Sequence, residues 1–225
     1  MDVTRVVWKP SYRIISDRTR ALATLAASDE ERRAAGEVLA LVDPATRQYV
    51  ERIPDLRAMI GRPGWQILVQ PFVIQERHAS RFSDGSYGVY YAAAEVETAM
   101  AEVKYHRTRL LRSSRTQHAR VTLACYGADM NGTLHDIRGQ SGVMPEVYSA
   151  ADPPEGYRAS QELGLGLFHQ GSNGIAYDSV RRALGQCVGV FRPVVFEACR
   201  QHGRLVLEWD GRDFVDEWLD LSRPN

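Results

Sequence analysis

Arg13, Arg81, Glu102 and Ser179 are the side chains whose types and settings could do chemistry in this sequence. Arg13 sits in the apolar run Tyr12-Arg13-Ile14-Ile15, where a guanidinium is costly unless it meets an anion, pairs with an acid or turns its head to water. Arg81 opens the polar loop Arg81-Phe82-Ser83-Asp84-Gly85-Ser86-Tyr87-Gly88. Such a loop can set a guanidinium and backbone amides around a phosphate, or it can be plain surface. Glu102 follows Val96, Ala99 and Met100 at helical spacing and lies at the border of their apolar face. From there a carboxylate can address a cleft or simply pair with His106 one turn further on. Tyr91 closes the pair Tyr90-Tyr91 and reads either as core or as a ring to stack on another planar ring. Ser179 lacks a G-x-S-x-G elbow, so it is not an acyl-transfer nucleophile by pattern, and its plain alternative is a turn or cap hydroxyl. The histidines at 78, 106, 118, 135, 169 and 202 show neither HExxH nor a short paired spacing, so no metal is expected. Neither GxGxxG nor GxxxxGK[ST] occurs, which leaves Rossmann and P-loop nucleotide binding unsupported.

The elements that must position these residues follow from periodicity. Residues 3–8 and 12–15 read as extended pieces separated by Pro10, either a strand pair or a bent strand. Residues 28–52 turn charged and Ala/Leu-rich, with Ser28 and Glu31 as a capping box and Leu25, Val38, Leu39 and Val42 as buried positions. Asp43-Pro44 starts a second helical run, Gly61-Arg62-Pro63-Gly64 ends it, and the apolar residues 65–74 read as a strand. The stretch 81–111 passes from loop to short strand to helix, with Val96, Ala99, Met100, Val103 and Leu110 as the apolar face. Residues 120–126 alternate as a strand and Asn131-Gly132 reads as a turn after it. Pro153-Pro154 precedes a helix over 157–168 closed by Gly171, and 174–180, 187–191 and 205–209 read as strands. No regular βαβ rhythm appears, so the expectation is a single mixed α/β (α+β) domain: a mixed or antiparallel central sheet flanked by helices, with a helical insertion at about 28–60.

A chain of 225 residues and 25.3 kDa with 44% apolar content is the size of one domain with one core. Lys+Arg and Asp+Glu number 28 each, so no broad cationic surface is implied for nucleic acid or anionic lipid. Cys125, Cys187 and Cys199 form neither a disulfide framework nor a CxxC spacing, which suits a reducing compartment. The start MDVTRVVWKP is not a secretory signal and no run of 18 apolar residues occurs, so a cytoplasmic location is expected, with no membrane partner.

The blocks Tyr12-Arg13-Ile14, Arg81 in its loop, Gly88-Val89-Tyr90-Tyr91-Ala92-Ala93, Glu97-Thr98-Ala99-Met100-Ala101-Glu102-Val103, Tyr177-Asp178-Ser179-Val180-Arg181 and Val190-Phe191-Arg192-Pro193 occur in an order that resembles the RES-domain family. The resemblance runs over residues 5–193, and Lys104-Tyr105-His106-Arg107 resembles the family's larger branch. The family's Arg, Glu and Ser correspond to Arg13 or Arg81, Glu102 and Ser179. The resemblance implies a fold similar to ADP-ribosyltransferases and a toxin of a type II toxin–antitoxin pair that consumes NAD as its substrate. It further implies a cognate helix-turn-helix antitoxin of the Xre/ParS-like kind as partner. In that setting Glu102 would stabilise the ribosyl cation, Arg13 and Arg81 would clamp the pyrophosphate, Tyr91 would stack on nicotinamide, and Ser179 would hydrogen-bond a ribose hydroxyl or the carboxamide. The implied activity is that of an NAD phosphorylase or glycohydrolase; a mono-ADP-ribosyltransferase acting on a cellular protein is the alternative. A catalytically silent interaction module working through its antitoxin is the reading from another class.

Overall fold

Alternating burial along the first sixteen residues makes one long strand of them rather than two. In the computed structural model, which describes residues 1–16, 56–59, 61–73 and 78–220, β1 spans Asp2–Ser16 and bends at an irregularity between Trp8 and Ser11, where Pro10 cannot donate to the ladder. The expected bent strand is therefore the one that forms. β2 (Tyr90–Ala93), β3 (Ala119–Asp136), β4 (Gly174–Asp178), β5 (Gln186–Val190), β6 (Phe196–Trp209) and β7 (Phe214–Asp220) complete a mixed sheet in the order β1-β2-β5-β4-β3-β6-β7. β3 and β4 run parallel and every other adjacent pair is antiparallel. β1 also pairs with β3 along nearly its whole length, so β1, β2, β5, β4 and β3 form a closed circuit from which β6 and β7 extend.

Two expectations are corrected. The run 65–74 is not a strand: Trp65–Val73 is a helix, α2, after the short helix α1 at Leu56–Met59. A short apolar run carries no period that separates the two states, and Pro71 lacks the N–H that a central strand would need. Packing decides for the helix, which buries Ile67, Leu68 and Phe72 against the sheet. Asn131-Gly132 is not a turn either, because both residues lie inside β3, paired with Val7 and Val6. Gly132 is there for close approach: a Cβ would stand 2.4 Å from Val195 Cγ1, which the 3-10 turn Pro193–Val195 presses against the strand. β6 starts nine residues earlier than the strand expected at 205–209, and β7 is not among the expected strands.

The helix expected in the last part of the stretch 81–111 forms as α3, Val96–Ser113. Ala99 is buried, and Val96, Met100 and Val103 pack against the core beneath it; Leu110, expected to be buried with them, is 54% exposed. A 3-10 turn, Glu155–Tyr157, leads into α4, Arg158–His169. α2 covers one face of the sheet over Tyr90, Ala92 and Tyr126, while α3 and α4 cover the other over Ile14, Ala93, Cys125 and Tyr177. The helical runs and capping box expected within 28–52 lie outside the described residues. Among the described residues no helix is long and apolar enough to cross a membrane. Cys125, Cys187 and Cys199 are buried and unbridged, and burial pushes the Cys125 and Cys199 thiols up to about 12.

Candidate active site

β1 and β2 meet at a single register pair among the described residues, Tyr12↔Ala93, and then diverge. A cleft of about 550 Å³ opens in that gap, within the usual range for small-molecule sites. Residues of both sheet faces line it. Strand alternation sends Arg13 and Ile15 to the side of α2, and Tyr12 and Ile14 to the side of α3. Arg13, Arg81, Tyr91 and Glu102, dispersed over ninety residues of sequence, all reach this one cleft.

Glu102 is placed by α3, which leaves β2 through the short bend at Ala94-Glu95. Its Oε1 accepts a hydrogen bond of 2.6 Å from the Ser179 hydroxyl, so it is not paired with His106. Ser179 sits just past β4 in a tight loop closed by Ser179 N–H to Gly185 O at 2.8 Å. Its Oγ accepts the backbone N–H groups of Arg181 and Arg182, both at 3.1 Å. One hydroxyl proton and two lone pairs are thus all used, and Ser179 stands behind Glu102 as its holder. The loop is fastened to α3 a second time, since Arg182 donates to Glu95 and, at 2.9 Å, to Thr98 Oγ1. Gly185 allows that approach, because a Cβ there would lie 2.7 Å from the same Thr98 oxygen.

The two arginines differ in how they are held. Arg81, 8% exposed, donates from Nη1 to Val147 O at 3.0 Å and from Nη1 and Nη2 to Ser149 O at 3.2 Å, and its guanidinium lies 4.7 Å from the Tyr157 ring centre. Those oxygens are neutral, so they fix the fork without cancelling its charge. Arg13 has its guanidinium carbon 4.4 Å from the Tyr90 ring centre, and its Nε and Nη1 are buried with no hydrogen-bond partner among the described residues. Burial pulls its pKa below the ordinary arginine range, with the surrounding Tyr90, Cys199 and Tyr91 opposing. An arginine fork left open in a cleft is prepared for an anion.

Tyr91 presents its ring to the cleft while its hydroxyl accepts Phe82 N–H and bonds Ser80 Oγ, both at 2.9 Å. Burial pushes this phenol up to about 12, so it serves as a neutral hydrogen-bonding group that ties the 80–83 loop to β2. Sequence reasoning gave no site role to Gln70, His106, Arg107, Tyr157, Tyr177 or Cys187, which also line the cleft. Tyr177 and the Lys104-Tyr105-His106-Arg107 block mark the family resemblance alone. Nothing in the local pattern marks Gln70 or Cys187, which come to the cleft through α2 and β5.

His106 keeps one side in solvent and turns the other to the cleft. Desolvation on that side, with Arg109, Arg181, Arg81 and Arg107 around it, pushes its pKa down to about 4 from 6.5. The unfolded chain therefore takes up this proton first, and the stability contributed by neutral His106 is present above pH 6.5 and lost as pH falls through about 4. His106→Gln is expected to lose less stability than the native chain over that window; urea unfolding at pH 7 and pH 5 checks it, and equal losses in both chains would remove His106 from the acid response. Among the described residues no group of three His, Cys, Asp or Glu side chains could hold a metal ion.

A search of curated proteins gives no match to the chain. The RES domain model matches residues 55–210 of the 225, a span that contains Arg81, Tyr91, Glu102 and Ser179 but not Arg13. With more than half of its length matched, the chain belongs to the RES domain family, a family associated with the toxins of toxin–antitoxin pairs.

Proposed function

We propose that this chain is the toxin of a type II toxin–antitoxin pair, and that its cleft breaks the nicotinamide–ribose bond of NAD with phosphate or water as acceptor. The observation that carries this reading is the juxtaposition in one cleft of a carboxylate held by Ser179 and a buried guanidinium with open donors. NAD has the complementary chemistry, two phosphate charges and a glycosidic bond whose cleavage builds positive charge.

As the C1′–N bond breaks, its electron pair passes to the pyridinium nitrogen, and nicotinamide leaves neutral without needing a proton. The ribose C1′ and ring oxygen share the cation, and the acceptor oxygen then forms the new bond and loses its proton. Glu102 offers its negative charge where that cation grows, in a site partly withdrawn from water where the interaction is strengthened. Arg13 binds the pyrophosphate through its unpartnered donors, while Arg81, its fork held by the Val147 and Ser149 carbonyls, adds its uncancelled positive charge; together they fix the distance between the reacting carbon and Glu102. The Tyr91 ring forms an apolar wall for nicotinamide. Ser179 acts through Glu102 and leaves the substrate to others. A cognate helix-turn-helix antitoxin holds the enzyme inactive until it is removed.

Incubating the purified chain with NAD, with and without inorganic phosphate, tests the reading. Release of free nicotinamide together with ADP-ribose or its 1-phosphate is expected; label transferred onto protein would establish the ADP-ribosyltransferase alternative, and intact NAD would overturn both. Ser179→Ala is expected to lower kcat about tenfold, the worth of one charge-assisted hydrogen bond, with little change in KM. Ser179→Thr, which keeps the hydroxyl, restores it; a Thr variant as slow as the Ala variant would deny Ser179 the holding role.

A further inference from the structure

The α2 side of the cleft carries a polar group that the cleavage step does not use. Gln70 lies on α2 and lines the cleft, and its Oε1 is buried without a hydrogen-bond partner among the described residues. A buried amide oxygen left unpaired costs free energy, roughly 1–3 kcal/mol in general, unless something that visits the cleft supplies the missing donor. Gln70 is on the same side of the sheet as Arg13. α2 packs over Tyr90 and Ala92, and Tyr90 is the ring beneath the Arg13 guanidinium. Ile15 and Ala92, both turned to this side and both lining the cleft, add apolar walls. Glu102, Tyr91 and Tyr177 line the cleft from the opposite side.

We infer that Gln70 is a specificity-determining residue that accepts a hydrogen bond from the 6-amino group of a purine base at the end of the cleft remote from Glu102. The inference rests on the NAD reading above and orders the substrate along the cleft. The bond that breaks must lie at Glu102, and the phosphate charges belong at the open fork of Arg13. What remains beyond Arg13 is the adenosine half, whose base offers a flat apolar surface to Ile15 and Ala92 and an exocyclic N–H to Gln70. The amino group fits the unpaired acceptor, whereas a carbonyl at the same ring position sets two acceptors against each other until the amide turns round. Discrimination thus arises from leaving a buried polar group unpaired.

The test compares the wild-type chain with Gln70→Leu and the more nearly isosteric Gln70→Met on three substrates. NAD carries the 6-amino group, nicotinamide hypoxanthine dinucleotide carries a carbonyl in its place, and nicotinamide mononucleotide has the same scissile bond with no purine. Wild type is expected to favour NAD over the hypoxanthine analogue about tenfold in kcat/KM, one hydrogen bond's worth. Either variant is expected to raise KM for NAD about tenfold with kcat kept, to bring the two dinucleotides level, and to leave the mononucleotide's turnover unchanged. Equal losses on NAD and the mononucleotide would place Gln70 at the nicotinamide end and overturn the assignment, as would a variant that keeps the wild-type preference. A folded wild-type chain that cleaves none of the three substrates overturns the NAD reading and this inference with it. Normal cleavage with an unaltered preference overturns this inference alone.

Discussion

Glu102→Gln is expected to lose at least about 10²-fold in kcat for nicotinamide release while keeping its circular dichroism spectrum and thermal midpoint. The magnitude is that of removing one preorganised electrostatic group from a site where charge develops. Glutamine has the same shape, and its amide oxygen can still accept the Ser179 hydroxyl that holds Glu102 Oε1 at 2.6 Å, so the loop and helix stay joined. What it lacks is the negative charge opposite the ribosyl cation. In the ground state the positive charge sits on the pyridinium ring and passes to the ribose only as the bond breaks, so a carboxylate placed at the ribose is worth more in the transition state and the larger part of the loss should fall on kcat. On the NAD-cleaving reading, expression of the native chain is expected to arrest growth and expression of the variant is expected to be tolerated. A folded variant with near-native turnover would take Glu102 out of the mechanism.

Arg13→Met is expected to separate stability from function. The guanidinium is buried with Nε and Nη1 unpartnered, and the Tyr90 face at 4.4 Å is a modest offset for the desolvation of a cation. Methionine keeps most of the stem's packing and removes the charge, so the variant should be as stable as the native chain or more stable by about 1 kcal/mol, a rise of a few degrees in thermal midpoint. Binding should move the other way. NAD is expected to raise the native midpoint through linkage and to leave that of Arg13→Met unmoved, with kcat/KM down about 10²-fold. Arg13→Lys restores the charge without the fork and should recover only part of the affinity. A methionine variant that is markedly destabilised yet still shifted by NAD would make Arg13 a structural residue and move the phosphate contact to Arg81.

The two results bear on different links between sequence and site. The α3 helix was legible because Val96, Ala99, Met100 and Val103 repeat at 3.6 residues, and the same rotation put Glu102 at the border of the buried face. Alternation likewise exposed the 120–126 part of β3, and short apolar runs between turn residues exposed β4 and β5, which are buried on both faces. Residues 65–74 were misread because two runs of three apolar residues, Ile67-Leu68-Val69 and Phe72-Val73-Ile74, satisfy a helix and a central strand equally, and only the sheet face beneath Ile67, Leu68 and Phe72 selects between them. Asn131-Gly132 was misread because glycine has two uses, positive φ and close approach, and only Val195 reveals the second.

At the site, residue types came from the chain and partnerships from the fold. Sequence alone determined that the molecule is one mixed α/β domain, which of its arginines sits in an apolar strand, and which carboxylate lies at a helix-face border, because these depend on neighbours a few residues away. It left Glu102 equally free to pair with His106 four residues on or with something distant. Tertiary structure decided for Ser179, 77 residues away, because the loop after β4 brings a hydroxyl already polarised by two backbone N–H groups against α3. It likewise decided that Arg81 spends its fork on the carbonyls of Val147 and Ser149 while Arg13 keeps two donors open, and that Gln70 reaches the same cleft. Hydrogen-bond saturation and burial are properties of all the chain segments that meet at a point, and which segments meet is set by strand order, in which neighbours in space are far apart in sequence.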